Sequence, residues 1–126
     1  MHEDLVEVLA RQHKRYQVLH FIYKSVAPRA DYFHHYIELS TVTEKLRLDA
    51  NDVQEAFDYF VNEGLLESLS DEGLVVSLTH AGKVEIERSI THPQRETEHF
   101  AVQVLMHFHA PVASVQSGNQ SIAEIK

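Results

Sequence analysis

Apolar residues fall at helical intervals from about Glu3 to Val26. Leu5, Val8, Leu9, Tyr16, Leu19, Tyr23 and Val26 recur at spacings of three, four or seven, which gathers them on one stripe. Neither glycine nor proline interrupts the run before Pro28, so the pattern predicts one long helix that stops there. The other faces carry Arg11, Lys14, Arg15 and Lys24, which read as a solvated surface. The next segment, Ala27 to Tyr36, is too aromatic for a free linker and predicts a loop or short turn packed on the core. Its cluster Tyr32 to Tyr36, beside the first helix, could host a small molecule, but plain core packing accounts for it more simply.

From Ile37 the pattern sharpens. Ser40 or Thr41 is placed to cap a short helix that turns Val42, Leu46 and then Leu48 inward. Asp49 follows as the cap of another helix, with Asp52 in the position of an acidic capping box. Val53, Ala56, Phe57, Phe60 and Val61 form its core stripe, and Gly64 ends it. A strand from about Leu66 to Ser70, a turn at Ser70-Asp71-Glu72-Gly73 and a second strand from Leu74 to Leu78 predict a hairpin. Thr79 then starts a helix through Val84, Ile86 and Ile90 that ends before Pro93.

Beyond Pro93 the pattern changes. Thr91 to Phe100 reads as a polar connector. Ala101 to His109 alternates, with Val102, Val104, Met106 and Phe108 on one side, which predicts a strand. Val112 to Gln116 and Ser121 to Ile125 flank Ser117-Gly118-Asn119-Gln120, a hairpin signal loosely similar to short β-repeats of bacterial proteins. Strands so few do not make a stable sheet alone, so they are expected to pair with the wing or with another chain. The expected result is a homo-oligomer, most simply a dimer, joined through Val102, Val104, Met106, Phe108, Val115 and Ile122, through the first helix, or through both. On such a strand His107 and His109 would share a face, as a divalent metal requires, but a third ligand such as His99 would be needed. The last residue, Lys126, falls in a predicted strand, as in a piece of a longer protein.

Helix, short helix, tight turn, helix, hairpin, helix is the winged helix-turn-helix order. Over about residues 37–90 the chain resembles that family, in particular the MarR-like and PadR-like bacterial regulators. Val42-Thr43-Glu44-Lys45-Leu46-Arg47-Leu48 resembles the second helix and turn, and Asp49 to Phe57 the start of the third helix. Gly64-Leu65-Leu66 is similar to the Gly-Leu-Ile that opens the wing, and Leu78-Thr79-His80-Ala81-Gly82 to the Leu-Thr-x-x-Gly that launches the last helix. The expected fold is therefore α+β: a winged helix-turn-helix domain over 1–92 with a long N-terminal helix, and a C-terminal β-strand and hairpin extension over 93–126. The resemblance implies a third helix that enters the DNA major groove, with Asn51, Gln54, Glu55, Asp58, Tyr59 and Asn62 outward, and a wing tip at Asp71, Glu72 and Gly73.

Charge opposes that implied role. Between Asp49 and Gly73 stand eight acids and no lysine or arginine, and the remaining residues hold eleven acids and eleven bases. The whole formal charge of −8 thus lies on the expected reading helix and wing. DNA affinity comes largely from Lys and Arg displacing counterions from phosphates. A unit pair at about 4 Å interacts by about 4 kcal/mol at an effective dielectric near 20, and screening over roughly 8 Å shrinks this without changing its sign. The favoured expectation is an oligomerising protein-binding module that meets a basic partner through Asn51, Gln54, Glu55, Asp58, Tyr59, Asn62, Asp71 and Glu72. The alternative is a regulator that meets duplex DNA through Arg11, Lys14, Arg15, Lys45 and Arg47.

Composition narrows the classes further. The chain has 126 residues, 44% of them hydrophobic, enough for about one modest core. Absence of cysteine excludes disulfides, thiolate metal sites and a cysteine nucleophile, and suits a reducing compartment. No apolar run approaches the roughly 18–20 residues of a membrane span, and the acidic start His2-Glu3-Asp4 is unlike a signal peptide, so a cytoplasmic protein is expected. Phosphate-loop, His-Glu-x-x-His and Gly-x-Ser-x-Gly motifs are all missing, and neither an enzyme nor a cofactor is expected.

Overall fold

The uninterrupted run at the start forms one helix, α1, over His2–Val26, with Glu3 and Asp4 in its first turn and Lys24 in its last, complementing the helix dipole. The structure, a computed structural model, describes residues 2–26 and 35–109. The predicted apolar stripe is buried only in its second half. Tyr16, Leu19 and Val26 are shielded from solvent, whereas Leu5 is 52% and Val8 41% exposed. Val18 and Ile22, outside that stripe, are fully buried as well, so the second half of α1 is covered on more than one face.

Residues 27–34 of the aromatic segment lie outside the described residues. Its end, expected to pack on the core, instead forms strand β1, Tyr36–Glu38, with Tyr36 59% exposed. Three residues are too few to show an alternating pattern, so nothing local announced this strand. β1 passes directly into α2, Leu39–Leu46, and the residue at its N-cap is Glu38 rather than Ser40 or Thr41. The physical reason lies across the sheet: the Leu39 N–H donates to the Leu74 carbonyl at 2.8 Å, so the helix start is held by backbone. Val42 is buried, and Leu46 and Leu48 are half-buried. Arg47 closes α2 in left-handed backbone at φ 56°.

Asp49 caps α3, Ala50–Asn62, as its position predicts: its carboxylate accepts from the Asn51 N–H at 2.8 Å. Val53, Ala56, Phe57 and Phe60 are fully buried, and Gly64 follows the helix at φ 80°. Asp52 does not complete a capping box; it turns to Lys14 of α1. Strands β2, Leu66–Ser68, and β3, Val75–Leu78, are joined through Ser70 to Gly73. β2 stops short of Ser70 because that residue closes the turn: its hydroxyl accepts from the Leu74 N–H and its carbonyl from the Gly73 N–H. The three strands form one antiparallel sheet in the order β1-β3-β2.

Helix α4, His80–Thr91, starts at Thr79, whose hydroxyl donates to the Gly64 carbonyl and accepts from the Gly82 N–H. Ile86 is buried, but Ile90, expected inward, is 37% exposed. The chain divides into two compact units, Met1–Glu87 and Arg88–Lys126, so the division falls inside α4. In the first unit α1 packs on α2, α3 and β3, and α3 on β2.

In the second unit, the predicted strand from Ala101 to His109 is a helix, α5, over Val102–His109. Even positions of this stretch are apolar, but so is Leu105 among the odd ones. Val104, Leu105 and Phe108 then follow helical spacing, which a stretch this short fits as well as alternation. Val102 and Met106 consequently lie on one side of α5, Val104 and Phe108 on another, and Val104 is buried, so no shared strand face exists for pairing. Val115, Ile122 and the hairpin signal around Gly118 lie outside the described residues. Upstream of α5 the connector is folded: the Thr97 hydroxyl accepts from the N–H groups of His99 and Phe100, and Phe100 is buried. The described residues thus make an α+β fold of five helices and one three-stranded antiparallel sheet. Among them, no helix is long and apolar enough to cross a membrane.

Candidate functional site

Burying Val53, Ala56, Phe57 and Phe60 leaves the opposite face of α3 to solvent. Asn51, Glu55, Asp58 and Asn62 are exposed on that face, as the sequence predicts. Gln54 and Tyr59 are half-buried because each is turned to a neighbour on a different side.

On one side the neighbour is α1. Lys14 Nζ meets Asp52 Oδ2 at 2.9 Å. Arg15 Nε lies 3.1 Å from both Glu55 carboxylate oxygens, its Nη2 also bonds Oε2, and its guanidinium lies 4.0 Å from the centroid of the Tyr59 ring. Both cations are therefore paired with carboxylates of α3 rather than free for phosphates, Arg15 largely shielded and Lys14 still solvent-exposed. Two of the eight acids concentrated on this stretch are neutralised by α1, a pairing across about forty residues that no local pattern reveals.

On the other side the neighbour is the hairpin. Gln54 Nε2 donates to Asp58 Oδ1 at 3.1 Å and to the Gly73 carbonyl at 3.3 Å, tying the helix to the turn. Gly73 sits at φ 72°, and an added Cβ would come within 3.3 Å of Gln54 Nε2. Below this tie lies an open cleft of about 340 Å³ lined by Asp58, Val61, Asn62, Ser68, Asp71, Glu72 and Gly73. Three carboxylates line it, and among the described residues no lysine, arginine or histidine does. Its neighbourhood also displays apolar surface: Leu69 and Leu74, on either side of the turn, are 52% and 42% exposed. Sequence reasoning found Asp58, Asn62, Asp71 and Glu72 but not Val61, Ser68, Leu69 or Leu74. The outward pair of leucines was legible only as strand residues, because the place where the hairpin stops pairing is set by the Ser70 hydroxyl.

The remaining candidates do not assemble with this cleft. Lys45 and Arg47 stand exposed at the end of α2, and Arg11 is exposed on α1. Among the described residues none of the three makes an ion pair. His107 and His109 lie two apart on a helix and so point to different sides, which removes the shared face that a strand would have offered. Burial holds the His109 pKa below its ordinary value. His99, the third candidate ligand, is buried. Among the described residues no group of three or more potential ligands could hold a metal ion. In comparison with known proteins, the chain matches no family model, no curated protein and no solved structure.

Proposed function

We propose that this chain is a non-enzymatic winged helix-turn-helix module that binds a protein partner, taking lysine or arginine side chains of a basic segment into the cleft between α3 and the hairpin. The element order α1-β1-α2-α3-β2-β3-α4 and the sheet order β1-β3-β2 support the fold assignment. The observation that carries the function is the cleft itself: Asp58, Asp71 and Glu72 line it, with no cation among the described residues of its walls. Phosphates approaching this face meet carboxylates, whereas a cationic side chain gains charge-assisted bonds there. Leu69 and Leu74 beside it supply the apolar contact that a protein interface uses and a phosphate backbone does not. The internal pairs Lys14–Asp52 and Arg15–Glu55 support the same reading, since they remove two of the five cations that DNA binding would have used.

The second reading, a regulator that binds duplex DNA, draws on Lys45 and Arg47, exposed at the turn before α3. Fluorescence anisotropy with a labelled Lys/Arg-rich peptide and with a labelled random duplex, each titrated with salt, separates the two. The protein-binding reading expects the peptide to bind, with affinity falling roughly tenfold or more in Asp58→Asn, Asp71→Asn, Glu72→Gln. Micromolar binding of the duplex at low salt, lost on neutralising Lys45 and Arg47, overturns it.

A further inference from the structure

Gln54 joins the two walls of the α3 cleft. It stands on α3 one turn before Asp58 and is half-buried. A carboxamide nitrogen carries two hydrogens. Here Nε2 lies 3.1 Å from Asp58 Oδ1 and 3.3 Å from the Gly73 carbonyl oxygen, so each hydrogen has an acceptor on a different wall. The opposite orientation of the amide would set its oxygen against two other oxygens. The turn that Gln54 holds is braced internally. The Gly73 N–H and the Ser68 hydroxyl both donate to the Ser70 carbonyl, at 3.2 and 2.8 Å, and the Leu74 N–H donates to the Ser70 hydroxyl at 3.0 Å. Asp71 and Glu72 sit inside this turn, so where Gly73 is held, their backbone is held with it.

Glycine at position 73 is matched to this contact. Its φ of 72° favours glycine, and a Cβ there would come within 3.3 Å of Gln54 Nε2 and 3.5 Å of Asp58 Oδ1. Any side chain at 73 would crowd the atoms that join the walls. The chemistry of the donor matters equally. A lysine at 54 could donate to the same two oxygens, but its charge would cancel one of the three carboxylates of the cleft. A glutamate would have no hydrogen to give and would repel Asp58 across one helical turn. An amide of this length joins the walls and leaves the negative charge of the cleft uncancelled.

We propose that Gln54 is a positioning residue of the cleft, acting on a bound cationic side chain through Asp58 and the hairpin turn rather than by touching it. This rests on the reading of the cleft as a site for lysine and arginine side chains. It changes the place of Gln54, which the sequence puts among the residues that meet the partner directly. Both of its hydrogens are engaged within the chain. Its contribution is to fix the Asp58 carboxylate and the placement of Asp71 and Glu72 before the partner arrives, so that less ordering remains to oppose binding.

The test is fluorescence anisotropy of the full chain with the labelled Lys/Arg-rich peptide, titrated with salt. Gln54→Met keeps a good helix former and every charge but removes both donors. Its affinity is expected to fall roughly five- to tenfold, with native helical circular dichroism and a native salt dependence. Gln54→Lys keeps donors but cancels a charge, so it is expected to bind more weakly with a shallower salt dependence. In the Asp58→Asn, Asp71→Asn, Glu72→Gln background, Gln54→Met is expected to change affinity by less than about twofold, because no carboxylate remains there for Gln54 to position. Native affinity in Gln54→Met, or its full loss repeated in that background, overturns the proposal and leaves the reading of the cleft standing; the repeated loss would make Gln54 a direct contact. A native chain that does not bind the peptide overturns both.

Discussion

Replacing Gly82 by alanine sets two effects of known sign against each other. Position 82 lies inside α4, where alanine ordinarily stabilises a helix by about 1 kcal/mol relative to glycine. Here the added Cβ would sit 2.2 Å from the Leu65 carbonyl oxygen and 2.8 Å from Leu78 Cδ1. The leucine methyl can swing aside, but the carbonyl is backbone and already accepts from the Thr79 N–H at 3.2 Å. Normal contact requires a retreat of about 1 Å. That movement costs the hydrogen bond, about 1 kcal/mol, and adds overpacking strain of about 1–3 kcal/mol. The clash therefore wins, and Gly82→Ala is expected to destabilise the first unit by about 1–3 kcal/mol. For a domain of this size the thermal midpoint should fall by roughly 5–20 °C. Thermal unfolding followed by far-ultraviolet circular dichroism reads it directly. Adding Leu78→Ala removes one clash but not the other, so it should not rescue. A Gly82→Ala chain as stable as the native one, or more so, refutes the close packing of α4 on the end of α3, and with it the geometry that places the hairpin beside α3.

Other perturbations test the remaining contacts. A double-mutant cycle on Arg15→Met and Glu55→Gln should give a coupling of about 1 kcal/mol, because the Arg15 side chain is only 17% exposed and its contact with Glu55 is bidentate; zero coupling by urea denaturation argues against it. The Lys14–Asp52 pair is 45% and 38% exposed, so solvent screens it, and Lys14→Met should change stability by less than about 0.5 kcal/mol. Asp49→Ala removes the acceptor of the Asn51 N–H and should cost about 1 kcal/mol, most of it recovered in Asp49→Asn; equal loss in both variants would show that the cap is not the cause. Burial, together with the hydrogen bond to Glu87 and its charge, raises the Tyr23 pKa above the ordinary 10.0. The folded chain thus keeps a proton that the unfolded chain releases. This contribution is full below about pH 10 and is lost as pH rises through the folded pKa, so the native chain should lose more stability than Tyr23→Phe across that alkaline range.

The local pattern was enough for elements whose cause is local. Helical spacing placed α1, α3 and α4, the Asp49 side chain started α3, and Gly64 ended it, because period, cap and left-handed backbone are all properties of a few adjacent residues. The outward residues of α3 followed from its inward ones. What depends on a distant neighbour could not be read this way. β1 exists because β3 pairs with it, and α2 begins at Leu39 because the Leu74 carbonyl lies across from it. Ala101 to His109 satisfied two periods at once, and burial of Val104 and Leu105 accompanies the helical one. The largest difference is electrostatic. Chain order put eight acids on one stretch, but only the packing of α1 against α3 decided that Asp52 and Glu55 are neutralised while Asp58, Asp71 and Glu72 are left around an open cleft. Charge is counted along the chain, whereas its energy depends on distance through space, and that distance is a property of the fold.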